Sequence, residues 1–271
     1  YIDNGCRIPD KMLEENIRID YNKLRMLIRK DKEFAHDASI IQTLVSEGYV
    51  TGELKEGFPA EDIANNDKFV SLLYYFGLVT IGDTVMGDTK FIIPNEVVRE
   101  QIFSYLLDTY KENDLTFDSS DIRTKEKFMA YRGEFKSFFQ YIADCIYTFS
   151  SQRDRQKGEA FVHGFTLAMA SQCRFYRPIS ELDNDGGYAD IFLSPLCDIY
   201  KDMVDSYIIE LKYCKTSTTD EQVKELLKVA SAQITRYADS DIVRDAVKTT
   251  HLHKLVVMYR GVEMVVCEEI E

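Results

Sequence analysis

The first part of the chain has the three-to-four-residue spacing of apolar side chains that is typical of amphipathic helices. Leu13 and Ile17 begin such a series, which predicts a helix over 10–34. A second helix is predicted over 37–47. It is expected to end at Gly48, because glycine readily adopts the left-handed backbone found after a helix.

The pattern then changes from helix to strand and back, up to residue 110. A helix that ends at Gly77 leads into two strand-like runs, 78–81 and 90–93, separated by a turn rich in Gly and Asp. This make-up predicts a β-hairpin, and a last helix is predicted from Pro94 onward. A helical layer followed by such a hairpin predicts a winged-helix-like module, and the acidic composition here favours protein contacts over DNA binding.

A polar segment over 111–121 is the predicted boundary between a helical, winged-helix-like connector domain (1–118) and an α/β domain (119–271). Two helical stretches follow, at about 122–149 and 155–172. Beyond them we predict three strands, a helix and two more strands, over 174–182, 187–194, 206–213, 219–238, 253–260 and 261–269. A helix, three strands, a helix and a strand form an α/β (α+β) core with a mixed sheet.

Three charged residues interrupt the apolar strands of the second domain. Asp190 lies in one strand, and Glu210 and Lys212 lie in the next. Side chains alternate across a strand, so Glu210 and Lys212 point to the same face. Because an unpaired charge in a core is very costly, three charges on two neighbouring strands of one hairpin indicate a site. The residue types suggest metal-dependent cleavage of a phosphodiester.

That reaction needs hard oxygen ligands for Mg²⁺ (or Mn²⁺), an activated water and a cation that stabilises negative charge. Asp190 and Glu210 supply carboxylates, and the carbonyl of Leu211 offers a third oxygen. Lys212 is placed to orient or deprotonate the attacking water, or to neutralise charge on the reacting phosphate. The sequence leaves these roles of Lys212 open.

The helices on either side of these strands carry further polar residues at helical spacing. Glu159 precedes His163 by four residues, so both side chains can face the sheet together. Gln233 and Tyr237 share a face of the following helix in the same way. A lone histidine such as His163 is more often a packing residue than a ligand.

Cysteine and histidine patterns do not predict another metal centre. The six cysteines are scattered, without the spacing of zinc ribbons or disulfide frameworks, and reduced cysteines of a cytoplasmic protein are the simplest interpretation. His251 and His253 lie two residues apart, but no partner ligands are close in the sequence, so a packing role is favoured. No apolar run reaches the length of a membrane span, no signal-peptide pattern is present, and Tyr1 as the first residue suggests a fragment of a longer protein.

Composition supports two folded domains but adds a constraint on nucleic-acid binding. The chain has 271 residues, 45% of them hydrophobic, which is ample for real cores. Its net charge of −13 argues against a broad binding surface for nucleic acid, because phosphate contacts dominate that affinity. Any basic face is therefore local, with 123–157 as the best candidate, although lysines and arginines on a helix are more often simply solvated.

A set of charged and polar residues in a fixed chain order resembles the PD-(D/E)XK nuclease superfamily. The set runs over helix, strand, strand and helix: Glu159, Asp190, Glu210-Leu211-Lys212 and Gln233. More narrowly, the chain is similar to the C-terminal part of bacterial proteins that combine an AAA-ATPase-like region with a PD-(D/E)XK nuclease domain. The motif itself is short and degenerate, so its specificity comes from the ordered set.

The resemblance implies a restriction-endonuclease-like αβββαβ core and a Mg²⁺-dependent endonuclease that acts on DNA. In that family the aspartate and the glutamate bind the metal and the lysine assists the water. Carried over, this makes Asp190 and Glu210 metal ligands and Lys212 catalytic. The resemblance also implies accessory catalytic roles for Glu159 and Gln233, and an upstream ATPase domain as a partner.

Two departures from the family keep a second hypothesis open. Related sequences tend to have a basic residue where this chain has Tyr188, which removes a phosphate contact. The phosphate-binding loop of the ATPase region is absent from these residues. The alternative to a nuclease is therefore a catalytically inactive nuclease-fold module that binds nucleic acid or protein.

Overall fold

The computed structural model describes residues 34–55, 66–112, 117–152, 158–172, 175–184 and 187–271. The helix predicted over 10–34 therefore lies outside the described residues, apart from its last position. No helix in the described part of the chain is long and apolar enough to cross a membrane.

The described residues form two compact units. One lies within 34–44 and 48–106, and the other comprises 45–47 and the described part of 107–271. The division falls earlier in the chain than residue 118, where the sequence places the boundary between domains. That boundary between 118 and 119 stays a prediction.

The first unit combines helices with a three-stranded antiparallel sheet in the order β1-β3-β2. The predicted hairpin is present, with Thr80 of one strand opposite Ile92 of the other, but the sequence pattern does not predict β1. The winged-helix assignment stays a prediction. The elements are α1 (Phe34–Glu47), β1 (Tyr49–Gly52), α2 (Asn66–Tyr75), β2 (Thr80–Val85), β3 (Asp88–Ile92) and the first part of α3 (Glu96–Glu112).

Glycine ends the first two helices, as the sequence predicts. Gly48 and Gly77 have φ of +74° and +72°, a backbone conformation that is strained for other residues. After α2, the N–H of Gly77 donates to the carbonyl of Tyr74, and the N–H of Leu78 donates to the carbonyl of Leu73. This pair of bonds is the Schellman arrangement, which satisfies the last carbonyls of a helix.

The second unit contains a five-stranded mixed sheet in the order β4-β5-β6-β7-β8. Strands β6 and β7 are parallel, and the other neighbours are antiparallel. This is the mixed α/β architecture that the sequence predicts. The elements are α4 (Ser119–Arg132), α5 (Phe135–Gln152), α6 (Glu159–Ala170), β4 (Tyr176–Asn184), β5 (Gly187–Pro195), β6 (Asp205–Cys214), α7 (Asp220–Ala238), α8 (Asp241–Val247), β7 (His251–Arg260) and β8 (Glu263–Glu269).

The helical stretch predicted over 122–149 is interrupted. Gly133 has φ of +67° and ends α4, and its N–H donates to the carbonyl of Met129 at 3.3 Å. A second helix, α5, starts two residues later. The prediction of one continuous stretch is wrong here because apolar residues recur at similar spacing on both sides of Gly133.

Alternation along the strands assigns each position to one of the two sheet faces. Phe192 of β5 and Ile208 of β6 lie in one hydrophobic core with Ala230 and Ile234 of α7. The even-numbered positions of β6 therefore point to the face that α7 covers. The odd-numbered positions, such as Tyr207, point to the opposite face.

Candidate active site

Strands β5 and β6 separate at the point where the charged residues lie. Their ladder contains three residue pairs and ends at Ile191 and Ile209. Beyond it, a carboxylate oxygen of Asp190 accepts the backbone N–H of Leu211 at 2.8 Å, in place of a further ladder bond. The Asp190 side chain is therefore held by the backbone of the neighbouring strand.

Glu210 is buried next to this carboxylate. The residue is only 1% exposed, and its Oε1 lies 2.7 Å from Lys212 Nζ. Its Oε2 is buried and has no hydrogen-bond partner within the described part of the protein. Because buried polar atoms are nearly always satisfied, this oxygen indicates a position for a ligand.

Lys212 joins the two carboxylates. Its Nζ lies 2.7 Å from Glu210 Oε1 and 3.8 Å from Asp190 Oδ2, so both carboxylates point toward one place. About a quarter of the Lys212 side chain is exposed (27%), so the site is accessible from solvent. The three charges therefore form one group, as the alternation of the sequence predicts.

The charges in this group shift one another's protonation. Burial and the nearby charge of Asp190 raise the pKa of Glu210 to about 7, although the ammonium of Lys212 opposes them. Burial lowers the pKa of Lys212, but the carboxylates of Asp190 and Glu210 outweigh it and leave this pKa above its ordinary value. The two carboxylates therefore favour the ammonium form of Lys212 in this arrangement.

Helix α6 borders the site through two residues. His163 Nε2 lies 3.0 Å from the backbone carbonyl oxygen of Asp190, so the ring holds the backbone beside the carboxylate. Burial lowers the pKa of His163, with Asp190 acting in the opposite direction. Glu159 is exposed in the first turn of α6, and its charge raises the pKa of both His163 and Lys212. Glu159 is thus close enough to act on the site electrostatically.

Helix α7 packs on the sheet and carries two polar residues to consider. Gln233 Oε1 is buried and has no hydrogen-bond partner among the residues described, and its place at the site stays a prediction. The positive charge of Arg236 lowers the pKa of Glu210, so Arg236 lies near the site. Tyr237 instead packs in the hydrophobic core. The sequence does not single out Arg236, because an arginine on a helix has the pattern of a solvated residue.

The start of α7 is fixed by a capping box and by contacts with Arg260. Thr219 and Gln222 form a capping box, in which each side chain accepts the other residue's backbone N–H. Arg260 of β7 donates to Asp220 at 2.7 Å and to the carbonyl of Thr218 at 3.2 Å. These contacts attach the first turn of the helix to the sheet.

The donors at the site suit a hard divalent cation. Glu210 offers a buried oxygen without a partner among the described residues, and Asp190 offers a second carboxylate. Oxygen donors of this kind fit Mg²⁺ or Mn²⁺ better than a softer metal. Leu211 contacts the group through its N–H, and a role for its carbonyl stays a prediction. The side chain of Tyr188 is outside the described part of the chain.

Comparison with known protein families agrees with this geometry. Residues 157–269 match the model of the PD-(D/E)XK nuclease superfamily. No curated protein and no solved structure matches the chain. The matched segment begins just before α6, ends with β8 and includes every residue that the sequence singles out for the site: Glu159, Asp190, Glu210, Lys212 and Gln233. The segment 157–269 is therefore a member of the PD-(D/E)XK nuclease superfamily.

Proposed function

We propose that the second unit is a divalent-metal-dependent nuclease domain that hydrolyses phosphodiester bonds in DNA. The observation that carries the proposal is the shared position of Lys212 between two carboxylates, one of which has a buried oxygen without a described partner. An unsatisfied buried acceptor costs about 1–3 kcal/mol, and a cation bound by Glu210 would remove that cost.

In this proposal Asp190 and Glu210 hold Mg²⁺ or Mn²⁺. The ion, when bound, lowers the pKa of a water molecule and neutralises charge on the scissile phosphate. The N–H of Leu211 keeps the Asp190 carboxylate in its orientation before the ion arrives. Such preorganisation avoids a reorientation cost during the reaction.

Lys212 acts as a charged hydrogen-bond donor. The carboxylates beside it raise its pKa, so we propose that it orients the attacking water and stabilises negative charge on the phosphate, and that it is not the base. Glu159 and Gln233 have accessory roles at the rim of the site. Glu159 influences the protonation of Lys212, and the amide of Gln233 orients water or substrate.

The test is cleavage of single- and double-stranded DNA and RNA with and without Mg²⁺ or Mn²⁺. Lys212→Ala is expected to lower the cleavage rate by about 100-fold or more, because loss of one preorganised donor typically has an effect of that size. Lys228→Ala is the matched control, since Lys228 lies on α7 with 71% of its side chain exposed and pairs with Glu225. The control is expected to cleave like the wild type.

The alternative function is a nuclease-fold module that binds a partner without cleaving it. The net charge of −13 favours it, because an acidic protein repels nucleic acid. Absence of cleavage on every substrate, combined with absence of Mg²⁺ or Mn²⁺ binding by calorimetry, would rule out the nuclease proposal for these residues. A cytoplasmic location and a link to an upstream AAA-ATPase-like domain are further parts of the proposal, tested by co-purification of the longer protein.

A further inference from the structure

A second group of ligand-type side chains lies on the other face of the sheet. His253 of β7 is buried, and its ring stacks on the ring of Tyr207 at 4.8 Å between centroids. Tyr207 pairs with His253 across the parallel strands, and it occupies an odd-numbered position of β6. This group is therefore on the face opposite to Glu210 and Lys212.

A buried carboxylate fixes the orientation of the His253 ring. Nε2 of His253 lies 3.0 Å from Asp205 Oδ1, and Asp205 is only 6% exposed. A carboxylate accepts hydrogen bonds, so Nε2 can donate to Asp205 when it carries a proton. Nδ1 is the ring nitrogen that is directed away from Asp205, toward Glu269.

Two further donors lie close to the His253 ring. Glu269 Oε1, at the end of β8, lies 2.7 Å from Nδ1. The ring of His251 lies 4.6 Å from the ring of His253 and nearly perpendicular to it. One ligand atom from each of the three residues lies within 4.8 Å of the others. A ring nitrogen and a carboxylate that face each other need a proton or a metal cation between them.

We propose that His251, His253 and Glu269 form a binding site for Zn²⁺ or a similar divalent transition metal ion. Such ions prefer a donor set of imidazole nitrogens and one carboxylate. A histidine that binds a metal through one ring nitrogen usually donates a hydrogen bond from the other nitrogen to a carboxylate or carbonyl. Asp205 is thus the positioning residue. The three protein ligands leave a fourth position for water.

The ion would bind after side-chain movements of about 1 Å. Zinc bonds to nitrogen or oxygen are about 2.0–2.2 Å long, so two ligand atoms of a tetrahedral site lie about 3.4 Å apart. The ligand atoms here lie within 4.8 Å of one another, and Nδ1 of His253 and Oε1 of Glu269 are 2.7 Å apart. His251 and Glu269 are exposed and can rotate to correct both, while Asp205 and Tyr207 hold the buried His253 in place.

The bound ion would connect the beginning of β7 to the end of β8. It would therefore stabilise the edge of the sheet independently of the proposed nuclease site. The two sites also differ in chemistry, since one uses oxygen donors for Mg²⁺ and the other uses nitrogen donors for a softer ion.

The experiment is a titration of the metal-free whole chain with Zn²⁺ by calorimetry and with Co²⁺ by visible absorption. We expect one Zn²⁺ per chain with micromolar or tighter affinity and a ligand-field spectrum of tetrahedral Co²⁺. His251→Ala is expected to weaken binding at least 10-fold, and Glu269→Gln is expected to do the same. Both residues are exposed, so these variants keep the fold.

Two controls identify the site and the role of Asp205. Glu210→Gln alters the proposed nuclease site and is expected to leave Zn²⁺ affinity and the Co²⁺ spectrum unchanged. Asp205→Asn is expected to weaken Zn²⁺ binding by about 10- to 100-fold, the usual effect of removing a partner of a histidine ligand. It should also change the pH dependence of binding.

Three results would overturn the proposal. The first is the absence of Zn²⁺ and Co²⁺ binding, which would make the group a hydrogen-bonded link between strands. The second is binding that His251→Ala and Glu269→Gln leave intact. The third is binding that Glu210→Gln abolishes, because the ion would then occupy the site on the other face.

Discussion

At the scale of single residues, Asp190 performs two separable functions. One of its oxygens accepts the N–H of Leu211, which is a structural contact to a buried residue. Its charge raises the pKa of both Glu210 and Lys212, which is an electrostatic contribution to the site. Substitutions that keep the oxygen and remove the charge can distinguish the two functions.

We predict that Asp190→Ala lowers the free energy of unfolding by about 1–3 kcal/mol more than Asp190→Asn does. The alanine leaves the N–H of the buried Leu211 without an acceptor, whereas asparagine keeps an oxygen in that place. Both variants relieve the repulsion of Glu210 equally, so their difference isolates the hydrogen bond. Urea denaturation in the absence of metal measures it, and both variants are expected to lose Mg²⁺ binding by calorimetry. Equal stability of the two variants would contradict the structural role.

A second residue-scale prediction concerns Glu126 of α4. It is 1% exposed, and neither carboxylate oxygen has a hydrogen-bond partner in the described structure. Burial raises its pKa well above the ordinary value of 4.5, although Arg123 opposes the shift. The folded state therefore binds this proton more tightly than the unfolded state, so the contribution of Glu126 to stability is greatest below pH 4.5 and is lost as the pH rises through the raised pKa.

Glu126→Gln is accordingly expected to have wild-type stability near pH 4.5 and higher stability than the wild type at pH 8.5. Each unit of elevated pKa corresponds to about 1.4 kcal/mol, so a gain of about 1 kcal/mol or more is expected at the higher pH. Denaturant titrations at both pH values measure the difference. A constant difference between the two proteins across this range would show that Glu126 does not titrate on unfolding.

At the scale of elements, glycines determine where several helices and turns end. Gly133 separates α4 from α5, and Gly261 lies in the turn between β7 and β8. Both have left-handed backbones, but their surroundings differ. A Cβ on Gly133 would meet the His253 ring at an ordinary 3.5 Å, whereas a Cβ on Gly261 would lie 2.6 Å from the methyl carbon of Thr216.

We predict that Gly261→Ala destabilises the protein more than Gly133→Ala does. Both variants have the cost of a left-handed alanine, about 1 kcal/mol, and only the first adds a steric clash of about 1–3 kcal/mol. Thr216→Ser removes the clashing methyl group, so the double variant should regain the stability that the steric clash costs. A double-mutant cycle of denaturation free energies tests this, with Thr216→Ser alone as the reference. Additive free energies would rule out the clash.

At the scale of the whole molecule, the second unit contains all residues of both proposed metal sites. This unit includes the end of α3, where Tyr110 is 1% exposed. The Tyr110 ring contacts the rings of Phe149, Phe161 and Phe165 at 5.4–5.7 Å. The core of this unit therefore includes a residue that precedes the boundary predicted between 118 and 119.

A fragment of residues 107–271 is expected to be more stable than a fragment of residues 119–271. The shorter fragment lacks Tyr110, and loss of a large buried aromatic side chain costs about 3–5 kcal/mol. Urea denaturation of the two fragments measures this difference. Tyr110→Ala in the longer fragment should account for most of it. Equal stability of the two fragments would support the boundary at 118.

The sequence predicts the strands of the second unit well because short apolar runs bounded by polar residues are typical of buried strands. The prediction fails for elements that are too short, or too similar in spacing to their neighbours, for a local pattern to reveal them. Strand β1 has only four residues, and α4 and α5 share a spacing that conceals their separation at Gly133. Helix α8, with seven residues, is too short for a clear period.

The same limit applies to the candidate sites. Asp190, Glu210 and Lys212 are evident from the sequence because charge is rare in a buried strand. The N–H donor of Leu211 belongs to the backbone and leaves no trace in the residue types. Glu269 lies sixteen residues from His253 along the chain, and only the antiparallel pairing of β7 and β8 brings it near.

Strand β6 serves both faces of the sheet within eight residues. Its odd positions, Asp205 and Tyr207, support His253, and its even positions, Glu210 and Lys212, form the proposed nuclease site. A substitution at one of these positions affects one face. Deletion of a single residue between Tyr207 and Glu210 would instead turn the later residues to the wrong face. The number of residues in this short segment is therefore more strictly constrained than the identity of any residue within it. Homologues should show substitutions there, but no insertions or deletions.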